Sequence, residues 1–221
     1  MAGLFQVFFW ITQDNRVSLI ETSFEKVESL SYSPFEGYDK KVLSPKQIEE
    51  DVSMLSHFTS KVRTYSTADA KVILEATSKT DLPVDLGIWI SGDHKENHLE
   101  IQRALKLLEK YPDNIANVIV GNETLLRADL EEEELFAYID FVAEFTNKPI
   151  TCAETWDVWE RIPDLAKHVD FITIHILPYW EKVPIDRFND FIIEKYTLVE
   201  KLFPYTKINI GETGWPSHGY N

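Results

Sequence analysis

One cysteine, eight glycines and a deficit of basic side chains mark what this 221-residue chain has little of. The lone thiol, Cys152, cannot close a disulfide within the chain, so cysteine usage does not fix the redox compartment. It lies in an apolar run, where a buried structural thiol is expected rather than a nucleophile. Lys and Arg number 22 against 37 Asp and Glu, a formal charge of −15, and no basic stripe occurs anywhere. A surface that tracks phosphates needs clustered cations, so nucleic acid is not an expected partner. There is no G-x-x-x-x-G-K-[ST] sequence. The turn after the first strand-like run reads Tyr32-Ser33-Pro34-Phe35, which offers no backbone cradle for a dinucleotide. No repeat or low-complexity tract suggests a linker, so residues 27–221 read as one domain behind an N-terminal segment, 1–26. Residues 4–11 are apolar except for Gln6. That run is too short to span a bilayer and no Lys or Arg precedes it, so it reads as a packing segment or as the remnant of a membrane anchor or signal.

What is present is a rhythm. Hydrophobic content of 44% is ordinary for a globular chain, and the length can bury a sizeable core. Short β-rich runs recur at 27–35, 61–66, 84–90, 116–123, 150–154, 169–180 and 207–215. Their ends are spaced by about the length of one βα unit, and parallel neighbours need such crossovers. Between them lie helical stripes. Ser44-Pro45-Lys46-Gln47 has the form of a capped helix start, followed by Ile48, Val52, Leu55 and Phe58 at helical spacing. Ile101, Ala104, Leu105 and Leu108 form a second stripe. Leu135, Tyr138, Ile139, Val142 and Phe145 form a third, and Phe188, Ile192, Val199 and Leu202 a fourth, all expected to face the core. The acidic run at 131–134 looks like a cation site. With Asp129 as the cap it becomes a first helical turn, where the macrodipole favours negative charge, so no metal site is expected there. The pattern predicts an α/β fold, a (β/α)8 TIM-type barrel, incomplete with about seven strands present.

In such barrels the working residues project from the C-terminal ends of the strands. The fourth run ends Gly121-Asn122-Glu123 and the seventh ends Gly211-Glu212-Thr213-Gly214-Trp215-Pro216. A carboxylate placed directly after apolar strand residues is costly unless it faces a polar cavity or a partner. Glu123 and Glu212 both have that setting, and the fourth and seventh strand ends lie across a barrel mouth from each other. Glycoside hydrolysis needs such a pair, one carboxylic acid to protonate the leaving oxygen and one carboxylate to attack the anomeric carbon. Repulsion and partial burial should raise the pKa of one of them. Aromatic residues at strand ends, namely Tyr32, Trp89, Trp156, Tyr179, Trp180 and Trp215, offer flat faces for pyranose rings.

At Gly121-Asn122-Glu123 and Gly211-Glu212-Thr213-Gly214-Trp215-Pro216-Ser217 the chain resembles glycoside hydrolase family 17, more the bacterial branch of β-1,3-glucanases and glucanosyltransferases than the plant enzymes. Tyr32-Ser33-Pro34-Phe35, Arg63-Thr64-Tyr65-Ser66, Ala153-Glu154-Thr155-Trp156 and His175-Ile176-Leu177-Pro178-Tyr179-Trp180 match in the order the family requires. The resemblance implies that Glu123 is the acid/base and Glu212 the nucleophile, with Asn122 bonding the sugar 2-hydroxyl. Tyr179 and Trp215 would line the donor side, with Glu154 a substrate contact or a group just behind it. Tyr32, Trp156 and Trp180 are further candidate sugar contacts. Arg63 would be a charge partner for the site, and His175 would bond near the carboxylates. No metal or organic cofactor is implied; the partner is a β-glucan polysaccharide or oligosaccharide. An extracytoplasmic or envelope location follows from that polymer. A closed barrel needs one more strand after Trp215, and the reading favours a fragment of a longer protein.

Overall fold

The computed structural model describes residues 26–36 and 41–216, so the stretch at 4–11 and Ser217 lie outside the described residues. After β1 (Leu30–Ser31), the short strands β2 (Phe35–Glu36) and β3 (Lys41–Val42) pair as an antiparallel hairpin. The main sheet holds seven strands: β1, β4 (Val62–Arg63), β5 (Val84–Ile88), β6 (Ile115–Asn122), β7 (Ile150–Thr155), β8 (Ile172–Ile176) and β9 (Ile208–Thr213), in that spatial order. Every pairing in it is parallel. The crossovers are the helices α1 (Pro45–Leu55), α2 (Thr67–Thr77), α3 (His94–Lys110), α4 (Glu132–Ala143), α5 (Trp156–Arg161) and α6 (Phe188–Leu202). At the N-terminal end of the sheet, Lys207 donates to Glu28 at 3.0 Å and Lys61 donates to the same carboxylate oxygen at 3.3 Å. The first and last strands therefore approach each other, and the sheet is a curled, incomplete TIM-type barrel.

Strand alternation sorts the sheet residues by face. Val62, Val84, Leu86, Ile88, Val118, Val120, Ile172 and Ile174 belong to one buried core with the helices, together with Ile48, Ile73, Ile101, Ala104, Leu135 and Ile139. The opposite face lines the inside of the curl and is polar. Ser29, Ser31, Arg63, Asp85, Thr173 and Asn209 share a small inner cavity with Ile119 and Phe171. These groups answer one another: Ser29 Oγ and Asn117 Nδ2 donate to the Asp85 carboxylate at 3.0 and 2.7 Å, and Thr151 Oγ1 donates to Thr173 Oγ1 at 3.0 Å. Pairing of this kind is what lets polar groups stay in a closed space.

The helix starts follow local chemistry. Ser44 caps α1 and Gln47 completes the capping box, with Pro45 in the first turn. The Asp93 carboxylate accepts the Lys95 and Glu96 N–H groups at the head of α3. Three expectations need correction. Asp129 does not cap α4: it pairs with Arg127, while Glu131 is the cap residue and its N–H donates to Glu134. Phe58, Phe145 and Leu202 lie beyond or at the ends of their helices and are 57, 56 and 47% exposed, so those stripes run out before their last members. The runs at 27–35 and 61–66 contain only two-residue sheet strands; Ser66 instead caps α2, whose Asp69 N–H it accepts at 3.4 Å.

Candidate active site

β6 delivers Glu123 in an unusual way. Gly121 and Glu123 both have positive φ, +83° and +54°, so the chain turns sharply as the strand ends. For glutamate this conformation is disfavoured, and such residues cluster at functional sites. The Glu123 N–H donates to Ala153 O at 2.7 Å on the neighbouring strand, and the Arg127 N–H donates to Glu123 O at 2.9 Å. A single helical turn therefore begins at Glu123.

Glu212, on β9, faces Glu123 across the mouth, and His175 on β8 lies between them. His175 is completely buried, its Nδ1 is 2.7 Å from Glu123 Oε1, and its Nε2 is 3.6 Å from Glu212 Oε1. One carboxylate oxygen of each glutamate and one ring nitrogen all lie within 4.8 Å of one another. Arg63 closes the group from β4. Its Nη1 donates to Gly211 O at 2.8 Å and its Nη2 to Asn122 Oδ1 at 2.6 Å, and Nη1 is 3.6 Å from Glu212 Oε1. Both guanidinium nitrogens also face His175 Nε2, at 3.4 and 3.3 Å. A guanidinium can only donate, so His175 Nε2 accepts and Nδ1 carries the proton. That proton goes to Glu123. Glu123, His175 and Glu212 form a donor set of metal-binding type, but the Arg63 cation already stands against two of its members.

The electrostatics differ from the sequence expectation. The His175 hydrogen bond, with the nearby Arg127 and Arg63 charges, outweighs burial and holds the Glu123 carboxyl below the usual glutamate range. The raised carboxyl is Glu154, pushed up to about 7 chiefly by burial, with a further push from Glu123. Glu154 is 0% exposed and turned away from the cleft: its carboxylate accepts the Leu125 and Leu126 N–H groups at 2.7 and 3.3 Å.

A cleft of about 760 Å3 opens beside Glu212, lined by Tyr65, Leu177, Tyr179, Trp180 and residues 210–214, with Ser29, Leu30, Ser31 and Pro216. Tyr179 packs edge-to-face on both Trp180 and Trp215, with ring centroids 5.4 Å apart in each case. Trp180 is 75% exposed. Two candidates are engaged elsewhere. The Tyr32 hydroxyl donates to Asp51 of α1 at 2.7 Å, and burial with that carboxylate raises its pKa. Trp156 donates to Glu181 at 2.9 Å, with Lys195 Nζ 4.2 Å from its ring centre. Sequence reasoning passed over Tyr65, which lines the cleft with Ser31 and Glu212 and whose pKa is raised mainly by burial. It also passed over Arg127, which stacks on Trp89 at 4.5 Å and bonds the Asn122 and Ile90 carbonyls. Tyr65 stood in a matching motif, but Glu212 lies on a strand far along the chain.

Fold and site together define a β/α-barrel domain of the glycoside hydrolase type. The BtgE/BtgC glycoside hydrolase domain matches residues 29–221, and the chain belongs to that family. Glucan 1,3-beta-glucosidase of Schizosaccharomyces pombe is 28% identical over 189 residues, covering 76% of this chain and 59% of that protein. The protein of the same name from Arthroderma benhamiae is 30% identical, covering 77% of this chain and 60% of its own length. Among solved structures, the glycoside hydrolase family 17 beta-1,3-glucanosyltransferase from Rhizomucor miehei superposes with a TM-score of 0.78 at 27% identity, over 88% of this chain and 74% of that one. An endo-laminarinase from Formosa, TM-score 0.71 at 19% identity over 87% of this chain and 67% of that one, shares the fold. These findings bear out the family 17 resemblance. The chain spans 59% of the Schizosaccharomyces pombe protein and 28% of the probable glucan endo-1,3-beta-glucosidase btgC of Aspergillus flavus.

Proposed function

We propose that this domain acts on β-1,3-linked glucan by a retaining, two-step mechanism. The observation that carries the reading is the placement of Glu123 and Glu212 with carboxylate oxygens within 4.8 Å. Retention calls for carboxyl groups about 5–5.5 Å apart, whereas inversion needs a wider gap for water. Glu212 lines the cleft, which sets its carboxylate beside the space where an anomeric carbon would sit. Arg63 Nη1 stands 3.6 Å from Glu212 Oε1, a cation beside the nucleophile. Glu123 protonates the departing oxygen.

At rest, His175 and the arginines favour the Glu123 anion. A bound sugar displaces water from the half-buried carboxyl, and that loss of solvation favours the protonated form. Once Glu212 is esterified its charge is gone. Glu123 then loses a repelling neighbour, its proton affinity falls, and it serves as the base for the incoming acceptor. Tyr179, Trp180 and Trp215 supply apolar faces for the sugar rings, and Asn122 stands beside Glu123 for the sugar 2-hydroxyl. A relative supports the substrate class: an active-site mutant of the Rhizomucor miehei enzyme was solved in complex with laminaritriose. A polymeric glucan substrate points to work at the cell envelope, outside the cytoplasm.

Water as acceptor gives hydrolysis and a glucan hydroxyl gives transfer. Both use the same carboxylates. Incubation with laminari-oligosaccharides separates them: shorter products mean hydrolysis, longer or branched products transfer. Proton NMR of the first product should show the β anomer. An α anomer formed first would overturn retention, and turnover unaffected by Glu212→Gln would overturn the site.

A further inference from the structure

A helix can be capped by the side chain of the residue that opens it, as Ser44 and Ser66 show here. The turn that begins at Glu123 cannot use that device. Its opening residue points its carboxyl into the cleft toward His175, leaving the leading N–H groups of the turn without an acceptor from their own segment. The first of them is buried, with Leu125 8% exposed and Thr124 just before it 0% exposed, whereas Leu126 is 44% exposed. An unpaired buried N–H costs on the order of 1–3 kcal/mol. Glu154, one strand over, supplies both missing acceptors. Oε1 takes the Leu125 N–H at 2.7 Å and Oε2 the Leu126 N–H at 3.3 Å. The same two strands are tied by the Glu123 N–H to Ala153 O bond, so residues 153 and 154 grip the turn at three points.

We propose that Glu154 is a positioning residue for the acid/base: it caps, from β7, the turn that Glu123 opens, and thereby fixes where the Glu123 carboxyl points. The inference rests on the reading of Glu123 as the proton donor. It gives Glu154 a role that needs no contact with sugar. The turn bears the positive φ of Glu123, a conformation that persists only when its surroundings hold it. Charged neighbours of Glu154 are Glu123 and Arg127 from that turn, with the buried Cys152 thiol on its own strand; its registered neighbour on β8 is the apolar Ile174. Glu123 pushes the Glu154 pKa up and Arg127 pushes it down. Two coupled carboxyls affect each other's titration reciprocally.

Two measurements test this, one of them independent of turnover. In amide NMR of the whole chain, the Leu125 and Leu126 resonances should titrate together with a midpoint near 7, because a protonated carboxyl keeps only one good acceptor oxygen. Glu154→Gln should abolish that titration, and Glu123→Gln should move its midpoint to lower pH. Flat amide shifts, or a titration that survives Glu154→Gln, would overturn the cap whether or not the chain turns over glucan. The second arm compares leaving groups. Glu154→Gln should lower kcat/KM on unactivated laminari-oligosaccharides at least tenfold, yet change it less than threefold on an aryl laminaribioside whose dinitrophenolate leaves without a proton. Equal losses on both substrates would mean that Glu154 is merely structural. If Glu154→Gln does not fold, Glu154→Asp, which keeps the charge and shortens the reach, should show the same leaving-group split. A wild-type chain inactive on both substrates counts against the proposed function, and the amide titration then decides the cap alone.

Discussion

Arg63 is the residue on which the site converges. Its guanidinium meets Gly211 O, Asn122 Oδ1, His175 Nε2 and Glu212 Oε1, which come from three other strands, while its side chain is 5% exposed. The planar fork matters as much as the charge. Arg63→Lys keeps the cation but cannot span those acceptors, so kcat/KM should fall at least tenfold, and thermal melting should show a loss of stability as well. His175 offers a sharper test. Its hydrogen bond is the largest influence lowering the Glu123 pKa. His175→Gln should weaken that influence, keep Glu123 protonated to higher pH, and move the alkaline limb of the kcat/KM profile upward. A limb that stays in place or moves down would show that His175 does not set the acid. At this scale the two glutamates were legible in the sequence because each follows an apolar run and a distinctive neighbour. The Arg63–His175 relationship was visible only as two separate motifs, since 112 positions part them. Glu154 was left between a substrate contact and a group just behind it for a related reason: a glutamate at a strand end reads the same whether it faces a cleft or a backbone turn.

At the scale of elements, the longer interior strands stood out because β5, β6, β7 and β8 carry buried apolar residues that pack in the core with the α-helices. α2 did not, since Thr67–Thr77 starts directly after the β-rich run that ends at Ser66, and Ser66 reads equally as a strand end or a cap. The polar inner face was likewise unreadable. Ser29, Asp85, Asn117 and Thr173 look like loop residues until the sheet curls and brings them together. One position in β9 depends on that closeness. A Cβ at Gly211 would lie 2.5 Å from Thr173 Cγ2 and 2.8 Å from Arg63 Nη1, so the strand can approach its neighbours only with glycine there. Gly211→Ala should displace Arg63, lower kcat/KM at least tenfold and destabilise the fold by about 1–3 kcal/mol. Denaturant titration measures the second effect, and an unchanged midpoint with full activity would show that β9 has room to give.

For the molecule as a whole, the carboxyls set opposing pH trends. Glu154 titrates near 7 when folded against an ordinary 4.5, so its contribution to stability is complete below about 4.5 and is lost as pH rises through 7. The size is on the order of 3 kcal/mol, since each tenfold change in proton affinity is worth about 1.4 kcal/mol. Glu123 and Glu28 are lowered, chiefly by His175 and Lys207, so each contributes above the ordinary value and fades as pH falls through its own depressed pKa. Urea unfolding between pH 5 and 7.5 should therefore show stability declining with rising pH, and Glu154→Gln should flatten that slope. A wild-type slope of the opposite sign would place Glu154 among ordinary carboxylates.

Glu123 follows β6 and Glu212 rides on β9, so the two carboxylates are held by strands that do not pair with each other. Arg63, joined to Gly211 O on β9 and to Asn122 on β6, is a tie rod between those two strands. On the retaining mechanism proposed above, that brace between β6 and β9 holds the attack distance that separates retention from inversion.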